Sequence, residues 1–238
     1  MKLAKAFAGS IHVALSSVLD ERARFLSSLY GEVSKGPAVK QRYLDIGAGK
    51  LVNTRVFGTG FQEVYALDVK RPDGEDRGPQ VRFITGSAQA LPFRADTADL
   101  VTMLSVIEHL PSPQKALSEA TRLLRPGGEL VIQAPNPLFP VDLHTGLPNP
   151  FFLPEFARKA FLRAVGQSGW LDNVHSHPRE KDMTRWLGGT MRLMGVRKVV
   201  YPSHFVPERV RPIYSLLAKA RLFRLLPLSY LYVYEMVP

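Results

Sequence analysis

Five short apolar runs, each followed by a polar or helical stretch, dominate the hydrophobic pattern of residues 40–137. Ser112 to Leu124 has apolar positions at helical spacing, with Ser112 as the predicted N-cap. Strand-length runs that alternate with helical segments predict an α/β fold with a parallel, doubly wound sheet. Ligands of such sheets bind beyond the carboxyl ends of the strands. The predicted strands are Tyr43–Ile46, Val64–Asp68, Val81–Ile84, Ala98–Leu104 and Glu129–Ala134.

The segments on either side of this region have a less regular pattern. Residues 1–38 are predicted to form an N-terminal helical segment, because the apolar positions between Lys2 and Leu19 recur at helical spacing. That spacing favours an amphipathic helix packed on the domain over a signal peptide. Within a main domain at 39–238, the predicted parts are a substrate loop at 136–154 and a C-terminal helical insertion at about 155–228, broken by a strand near 195–201.

A glycine turn, Gly47-Ala48-Gly49, follows the first predicted strand. Glycine lets the backbone turn tightly and approach a bound molecule, because it has no Cβ. A dinucleotide-binding turn needs a small third residue where this chain has Val52, and a phosphate-binding loop needs four residues between its glycines. Asp45 would repel a pyrophosphate and suits a ligand with an ammonium group. Since Asp68 ends the next strand, where a carboxylate accepts hydrogen bonds from ribose, the predicted ligand is a cationic nucleoside.

Composition narrows the possible chemistry. A chain of 238 residues suits one domain with an appended element. The absence of cysteine excludes disulfides, thiolate metal sites, iron–sulfur clusters and a thiol nucleophile. No run of about 18 uncharged apolar residues occurs, so the sequence predicts no transmembrane helix. The lack of a recognisable secretion signal favours a cytoplasmic location.

The net charge of +10 is concentrated after residue 135, where 14 Lys and Arg accompany seven Asp and Glu. Such an excess indicates either a solvated basic surface or an acidic partner: nucleic acid, an anionic membrane surface or a phosphorylated substrate. Pro207 to Leu226 combines this charge with many apolar residues and is predicted to be helical. It either lies on a membrane as a peripheral contact or packs on the sheet.

Five motifs occur in order along the first part of the chain: Leu44-Asp45-Ile46-Gly47-Ala48-Gly49, Ala66-Leu67-Asp68, Ala90-Leu91-Pro92-Phe93, Val106-Ile107-Glu108-His109-Leu110 and Leu124-Arg125-Pro126-Gly127-Gly128. This ordered set resembles the class I S-adenosylmethionine-dependent methyltransferases, in particular the branch with ubiquinone- and menaquinone-pathway enzymes. The resemblance implies a Rossmann-like, mostly parallel seven-stranded sheet with an antiparallel last strand and helices on both faces. Its last two strands would be Gly195–Tyr201 and Ser229–Val237.

The resemblance also implies S-adenosylmethionine as cofactor, with Asp45 near its methionine part, Asp68 on its ribose and Ser87 near its adenine. Two residues depart from the family pattern. Leu51 stands where the third glycine is usual, so a slightly different turn is expected. Ser87 replaces an acid that accepts from the adenine amino group, which weakens that hydrogen bond by about 1 kcal/mol. The implied cofactor-binding residues are Asp45, Gly47, Ala48, Gly49, Asp68, Val69, Ser87, Ala88, Leu104 and Ser105.

Two histidines are predicted catalytic bases, since His109 and His144 each follow a predicted strand and a neutral imidazole can accept a proton near pH 7. The alternatives are that His109 only shapes the cofactor pocket and that His144 caps its loop. Glu108-His109 resembles part of a metal motif of some related enzymes, but Ser105 stands where the first carboxylate would be needed. The sequence therefore predicts no metal ion and activity without added metal.

The favoured function is methyl transfer from S-adenosylmethionine to a small-molecule or lipid-linked acceptor, at oxygen. The substrate loop supports this acceptor class, because it combines an apolar wall at Phe139, Phe151 and Phe152 with polar groups such as Asp142. Two alternatives stay open: an RNA methyltransferase that uses the basic C-terminal part, and a non-catalytic cofactor-binding partner subunit. The sequence leaves the oligomeric state open.

Overall fold

A mixed seven-stranded sheet forms the centre of the computed structural model. The structure describes residues 18–72, 80–139, 153–164, 176, 178–205, 208, 211–219 and 221–237. The strands are β1 (Arg42–Ile46), β2 (Glu63–Asp68), β3 (Val81–Thr85), β4 (Ala98–Leu104), β5 (Leu124–Pro135), β6 (Met191–Val199) and β7 (Ser229–Met236).

The strand order is β3-β2-β1-β4-β5-β7-β6. Strands β1 to β5 pair in parallel, and β7 runs antiparallel to both of its neighbours, β5 and β6. The direction of winding reverses between β1 and β4, and a crevice for ligands opens beyond the carboxyl ends of strands at such a point. The predicted doubly wound sheet with an antiparallel last strand is confirmed.

Helices cover both faces of the sheet. Side chains along β4 alternate between the two faces. Leu100 and Leu104 belong to the core cluster on one face, and Val101 and Met103 belong to the cluster on the other. A strand buried on both faces has no polar side of its own, which explains the continuous apolar runs in the sequence. The helices are α1 (Leu19–Gly31), α2 (Val52–Phe57), α3 (Pro113–Leu123), α4 (Glu155–Ala164), α5 (Glu180–Leu187), α6 (Arg211–Lys219) and α7 (Leu222–Leu225).

Two helices illustrate the packing on the opposite faces. In α1, Leu26 and Tyr30 are buried in one core cluster. In α3, Ala116 and Leu117 are fully buried in the other, and they lie on the apolar stripe that the sequence predicts. None of the helices in the described part of the chain has the length and apolarity to cross a bilayer.

The structure changes several predicted boundaries. Ser112 does occupy the N-cap position of α3, but its side chain makes no capping hydrogen bond. Strand β5 begins directly at Leu124, because that residue is already extended and pairs with Ala98. The last two strands are present, with β6 starting four residues before Gly195.

The predicted helix from Pro207 to Leu226 is divided. Arg221 adopts a left-handed backbone conformation, with φ of 58°, between α6 and α7. A residue in that conformation cannot continue a right-handed helix, so the chain turns there. Helix α5 lies inside the predicted insertion but was not itself predicted as a separate element. The predicted helix between Lys2 and Leu19 falls mainly outside the described residues.

Leu51, at the position of the missing third glycine, keeps the backbone conformation that glycine favours. Its φ is +61°, and its side chain is fully buried beside Ala48 and Ala66. A left-handed conformation costs an L-residue about 1–2 kcal/mol, which burial of the leucine side chain offsets. Strain is therefore stored at the entrance to α2.

We expect Leu51→Gly to be more stable than Leu51→Ala by about 1 kcal/mol, because only glycine relieves the left-handed strain while both variants lose the same buried side chain. The measurement is the free energy of unfolding in urea. The matched control is Leu117, which is equally buried but lies within α3. There alanine should be the more stable of the two by about 1 kcal/mol. If the alanine variant were more stable than the glycine variant at both positions, backbone strain at Leu51 would be contradicted.

Candidate active site

A cavity of about 420 Å³ opens at the carboxyl ends of the central strands. Its walls come from the loops after β1, β2, β3 and β4, which the sequence predicts as the ligand-binding edge. This volume falls within the usual range for small-molecule sites. The lining residues are Ile46, Gly47, Leu67, Asp68, Val69, Gly86, Ser87, Ala88, Gln89, Ser105, Val106, His109, Leu110 and Pro111.

The glycine turn after β1 forms the floor of this cavity. Gly47 has φ of +72°, and its N–H donates to the Leu67 carbonyl at 2.7 Å. A Cβ on Gly47 would lie 2.3 Å from Cγ2 of Val106, which lines the same cavity. Gly47 is therefore required both by its conformation and by the close approach of the loop after β4.

Asp68 connects the glycine turn to the loop after β2. Its carboxylate accepts the N–H of Gly49 at 2.9 Å and the N–H of Lys70 at 3.2 Å. A carboxylate has about four acceptor positions, so this half-buried group can still accept two hydroxyls. The next side chain, Val69, is 75 % exposed and lines the cavity, which gives an apolar surface beside the carboxylate.

Asp45 lies in the core and is absent from the described cavity wall. Its side chain is 1 % exposed, and its two oxygens accept from Thr54 Oγ1 at 2.6 Å and Thr102 Oγ1 at 2.8 Å. Because Thr102 donates to Asp45, the Tyr43 hydroxyl donates to Thr102, from which its oxygen is 2.8 Å away. The structure therefore assigns this carboxylate two neutral donors, and its predicted contact with an ammonium group stays a prediction.

Burial raises the pKa of Asp45 from 3.8 to about 6, although the hydrogen bonds from Thr54 and Thr102 act to lower it. Between these two pH values the folded protein binds more protons than the unfolded chain. Stability therefore falls as the pH rises from about 4 to about 6, by about 3 kcal/mol for a shift of this size.

We expect Asp45→Asn to lack this loss of stability, because an amide does not ionise. The free energy of unfolding, measured at intervals from pH 4 to pH 7, should fall less steeply in the variant than in the wild type. Glu119→Gln is a control with the opposite dependence on pH, because the hydrogen bond from Arg122 lowers the pKa of Glu119. The ionised Glu119 side chain therefore stabilises the fold at pH values above the ordinary pKa of glutamate. If the stability of wild type and Asp45→Asn changed with pH in parallel, the raised pKa of Asp45 would be contradicted.

Ser105 turns the chain sharply where β4 ends at the cavity. Its φ is +57°, an uncommon value for serine, and its hydroxyl donates to Gln133 Oε1 at 2.8 Å. Gln133 Nε2 donates in turn to Ser229 Oγ at 2.9 Å, so β5 and β7 hold the turn in place. Strained backbone of this kind is typical of binding sites that surrounding contacts over-determine.

His109 lines the cavity at the end of a short 3-10 turn, Ile107–His109. Its Nε2 lies 3.9 Å from Oε1 of the buried Glu108. The second predicted base, His144, lies outside the described residues. Within the described ranges no three His, Cys, Asp or Glu side chains converge to hold a metal, and metal independence stays a prediction.

The cavity brings together six of the ten residues that the resemblance implies for the cofactor. Ala48 and Leu104 are instead core residues, and Gly49 contributes its N–H to Asp68. The sequence reasoning missed Val106, Leu110 and Pro111, although they belong to the motif around Glu108 and its flank. Their apolar character in a loop at the ligand-binding edge was the available signal. The six are Gly47, Asp68, Val69, Ser87, Ala88 and Ser105.

These residues fit a nucleoside-bearing sulfonium cofactor. Gly47 leaves the space that a Cβ would fill, and Asp68 has acceptor positions that the hydrogen bonds from Gly49 and Lys70 do not use, where the ribose of such a ligand would lie. Val69 and Ala88 supply apolar surface for a base, and the exposed Ser87 hydroxyl accepts the N–H of Gln89 at 3.2 Å. A second cavity, of about 460 Å³ beside Lys35 and Lys40, lies at the opposite edge of the sheet and has no comparable acid and glycine turn.

Comparison with known proteins agrees with this geometry. Residues 44–132 match the profile of a methyltransferase domain. A demethylmenaquinone methyltransferase from Renibacterium salmoninarum is 36 % identical over 100 residues, which are 41 % of this chain and 42 % of that protein. A ubiquinone/menaquinone biosynthesis C-methyltransferase from Roseobacter denitrificans is 34 % identical over 116 residues, or 42 % and 46 % of the two chains. The matched part is thus less than half of each relative's length.

Solved structures with a similar fold include further methyltransferases. The crystal structure of an S-adenosylmethionine-dependent methyltransferase from Mesorhizobium loti superposes with a TM-score of 0.59 at 16 % identity, over 88 % of this chain and 96 % of that one. At this identity the likeness concerns the fold alone. Residues 44–132 are thus similar in sequence to a methyltransferase domain and to the matched parts of the two quinone-pathway methyltransferases, and the fold of the chain is similar to that of the Mesorhizobium loti enzyme.

Proposed function

We propose that this protein transfers a methyl group from S-adenosylmethionine to a lipid-linked or small aromatic acceptor of the quinol type. The observation that carries the proposal is the cavity at the carboxyl edge, where Gly47, Asp68 and Val69 line the same wall space as His109 and suit a nucleoside. The names of the two relatives support the acceptor class, because one names demethylmenaquinone and the other ubiquinone and menaquinone biosynthesis.

The cofactor supplies the reactive methyl group, so the protein's part is to position the acceptor and to remove a proton. Gly47 and Ser105 form the turns at the ends of β1 and β4, and both residues line the cavity. His109 lies on the wall with about a third of its side chain exposed, and from there a neutral imidazole can accept a proton from a bound hydroxyl. His144 remains a second proposed base, in the loop predicted to contact the acceptor.

The acceptor atom is the point at which the sequence expectation and the relatives' names differ. The sequence reasoning favours oxygen, whereas the name of the Roseobacter protein specifies carbon. We favour carbon. A base that takes the proton of a ring hydroxyl would make the neighbouring ring carbon nucleophilic, and that carbon would take the methyl group while S-adenosylhomocysteine leaves. The methylated carbon would then give its own proton to water, and the protonated base would return a proton to the ring oxygen, which restores the aromatic quinol.

The test uses methyl-¹³C-labelled S-adenosylmethionine and a short-chain quinol acceptor. Nuclear magnetic resonance of the product separates methyl on carbon from methyl on oxygen by chemical shift. We expect a carbon-bound methyl in the wild type and a much lower rate in His109→Gln, since a positioned base contributes about 10²–10⁴ in rate. A methoxy product would overturn the choice of carbon. Transfer to RNA but not to quinols, or to no acceptor at all, would contradict the proposed function and favour one of the two alternatives.

A further inference from the structure

The connection between β6 and β7, residues 200–228, lies at the same edge of the sheet as the cofactor cavity. Ser229 at the start of β7 pairs with Val199, where β6 ends, and with Pro135, where β5 ends. Since β5 is parallel to β4, these ends point toward the ligand-binding edge. The connection that contains α6 and α7 therefore begins and ends at this edge of the sheet.

The inner face of this connection is firmly attached to the domain. Phe223 packs on Tyr214 with ring centroids 4.7 Å apart and stacks on Phe139 at 6.4 Å. The side-chain amide of Asn136 donates to the Pro227 carbonyl at 2.9 Å. The connection thus contacts the first residues of the predicted substrate loop.

The two helices and the turn between them expose both apolar and basic side chains. Leu216 in α6 is 66 % exposed and Leu225 in α7 is 78 % exposed. Lys219 in α6, Arg221 in the turn and Arg224 in α7 are exposed as well. By sequence, residues 200–228 contain five Lys or Arg and one acidic residue.

This combination fits a lipid surface better than a nucleic acid. Leucine side chains gain by leaving water for the boundary between headgroups and acyl chains, and nearby cations gain from anionic headgroups. A nucleic acid would satisfy the cations, but it would leave both leucines exposed to water.

We propose that Leu216, Leu225, Lys219, Arg221 and Arg224 form a docking surface for an anionic lipid bilayer, which brings the open side of the cofactor cavity to an acceptor held in that bilayer. The part of this inference that concerns the acceptor rests on the proposed function. The docking itself is a property of the surface and is testable without catalysis.

The experiment is flotation of the full chain with vesicles of phosphatidylcholine alone or with about 30 mol% phosphatidylserine added. We expect the wild type to bind the anionic vesicles at least about tenfold more tightly than the neutral ones. Leu216→Ser/Leu225→Ser and Arg221→Glu/Arg224→Glu should each lower binding to anionic vesicles by at least about tenfold. The controls are Val39→Ser and Lys35→Glu/Lys40→Glu, exposed residues near the opposite edge of the sheet, and these should bind as the wild type does.

Equal vesicle binding by the control and docking-surface variants would overturn the proposal. So would tight binding to single- or double-stranded RNA that the leucine variant retains in full, since that would identify a nucleic-acid surface. Cofactor affinity, measured by calorimetry, should be unchanged in every variant. Methyl transfer to a water-soluble quinol tests the proposed function separately: its failure with intact vesicle docking rejects that function, and the reverse result rejects only the docking.

Discussion

Gly47→Ala should weaken binding of S-adenosylhomocysteine by more than about tenfold and lower the free energy of unfolding by about 2–5 kcal/mol. The new Cβ would lie 2.3 Å from Cγ2 and 3.0 Å from Cγ1 of Val106, and it would also have to accept a φ of +72°. Since both residues line the cavity, neither can move without changing the site. Calorimetry measures the first effect and urea unfolding the second.

Three further variants separate the clash from the backbone strain. Gly127→Ala has a similar φ, +76°, and no heavy atom within 4 Å of the new Cβ, so it should lose about 1–2 kcal/mol of stability and no cofactor affinity. Gly49→Ala has a φ of +47° and likewise no heavy atom within 4 Å of the new Cβ. Its effect on cofactor binding should lie between those of Gly127→Ala and Gly47→Ala. Val106→Ala should partly rescue Gly47→Ala. If Gly47→Ala binds cofactor like Gly127→Ala, the close approach to Val106 has no role.

Asp68→Ala should weaken cofactor binding by about 1–3 kcal/mol, or about 5- to 150-fold in Kd. The variant loses the charged acceptor for the ribose, and it also releases the N–H of Gly49 from its 2.9 Å hydrogen bond. The matched control is Glu63→Ala, at the other end of β2, where a carboxylate pairs with Arg42 on the far edge of the sheet. That variant should keep the wild-type affinity.

A thermodynamic cycle tests whether the ribose is the partner of Asp68. Wild type and Asp68→Ala are each titrated with S-adenosylhomocysteine and with its 2′-deoxy analogue. If the carboxylate accepts from that hydroxyl, removing the hydroxyl should cost affinity in the wild type and little in the variant. Equal losses in both proteins would show that Asp68 acts only through the glycine turn.

The centre of the fold follows from the sequence because it depends on local patterns. Strands buried on both faces give continuous apolar runs, such as Ala98–Leu104, and a helical stripe gives α3. The turn at Arg221 and the early start of β6 were not predictable in this way. They depend on which neighbouring strands and helices the chain meets, and no local spacing records those contacts.

The residues of the candidate site divide in the same way into predictable and unpredictable ones. Gly47 and Asp68 could be predicted because a turn and a strand end fix where they lie, and motif order identifies them. The left-handed conformations of Leu51 and Ser105 could not, since neither residue type favours a positive φ and only tertiary contacts impose it. For Asp45 the motif predicts contact with a ligand, which stays a prediction, and the hydrogen bonds from Thr54 and Thr102 to its buried carboxylate were not predictable from sequence spacing.

The most direct test of a methyltransferase cofactor site at this edge of the sheet is calorimetric titration of the wild-type chain with S-adenosylhomocysteine. The site of Gly47, Asp68 and Val69 predicts saturable binding of one ligand per chain, with affinity in the micromolar range or tighter and with loss of affinity in Asp68→Ala. Absence of binding at about 1 mM ligand, or binding that Asp68→Ala leaves unchanged, would contradict it.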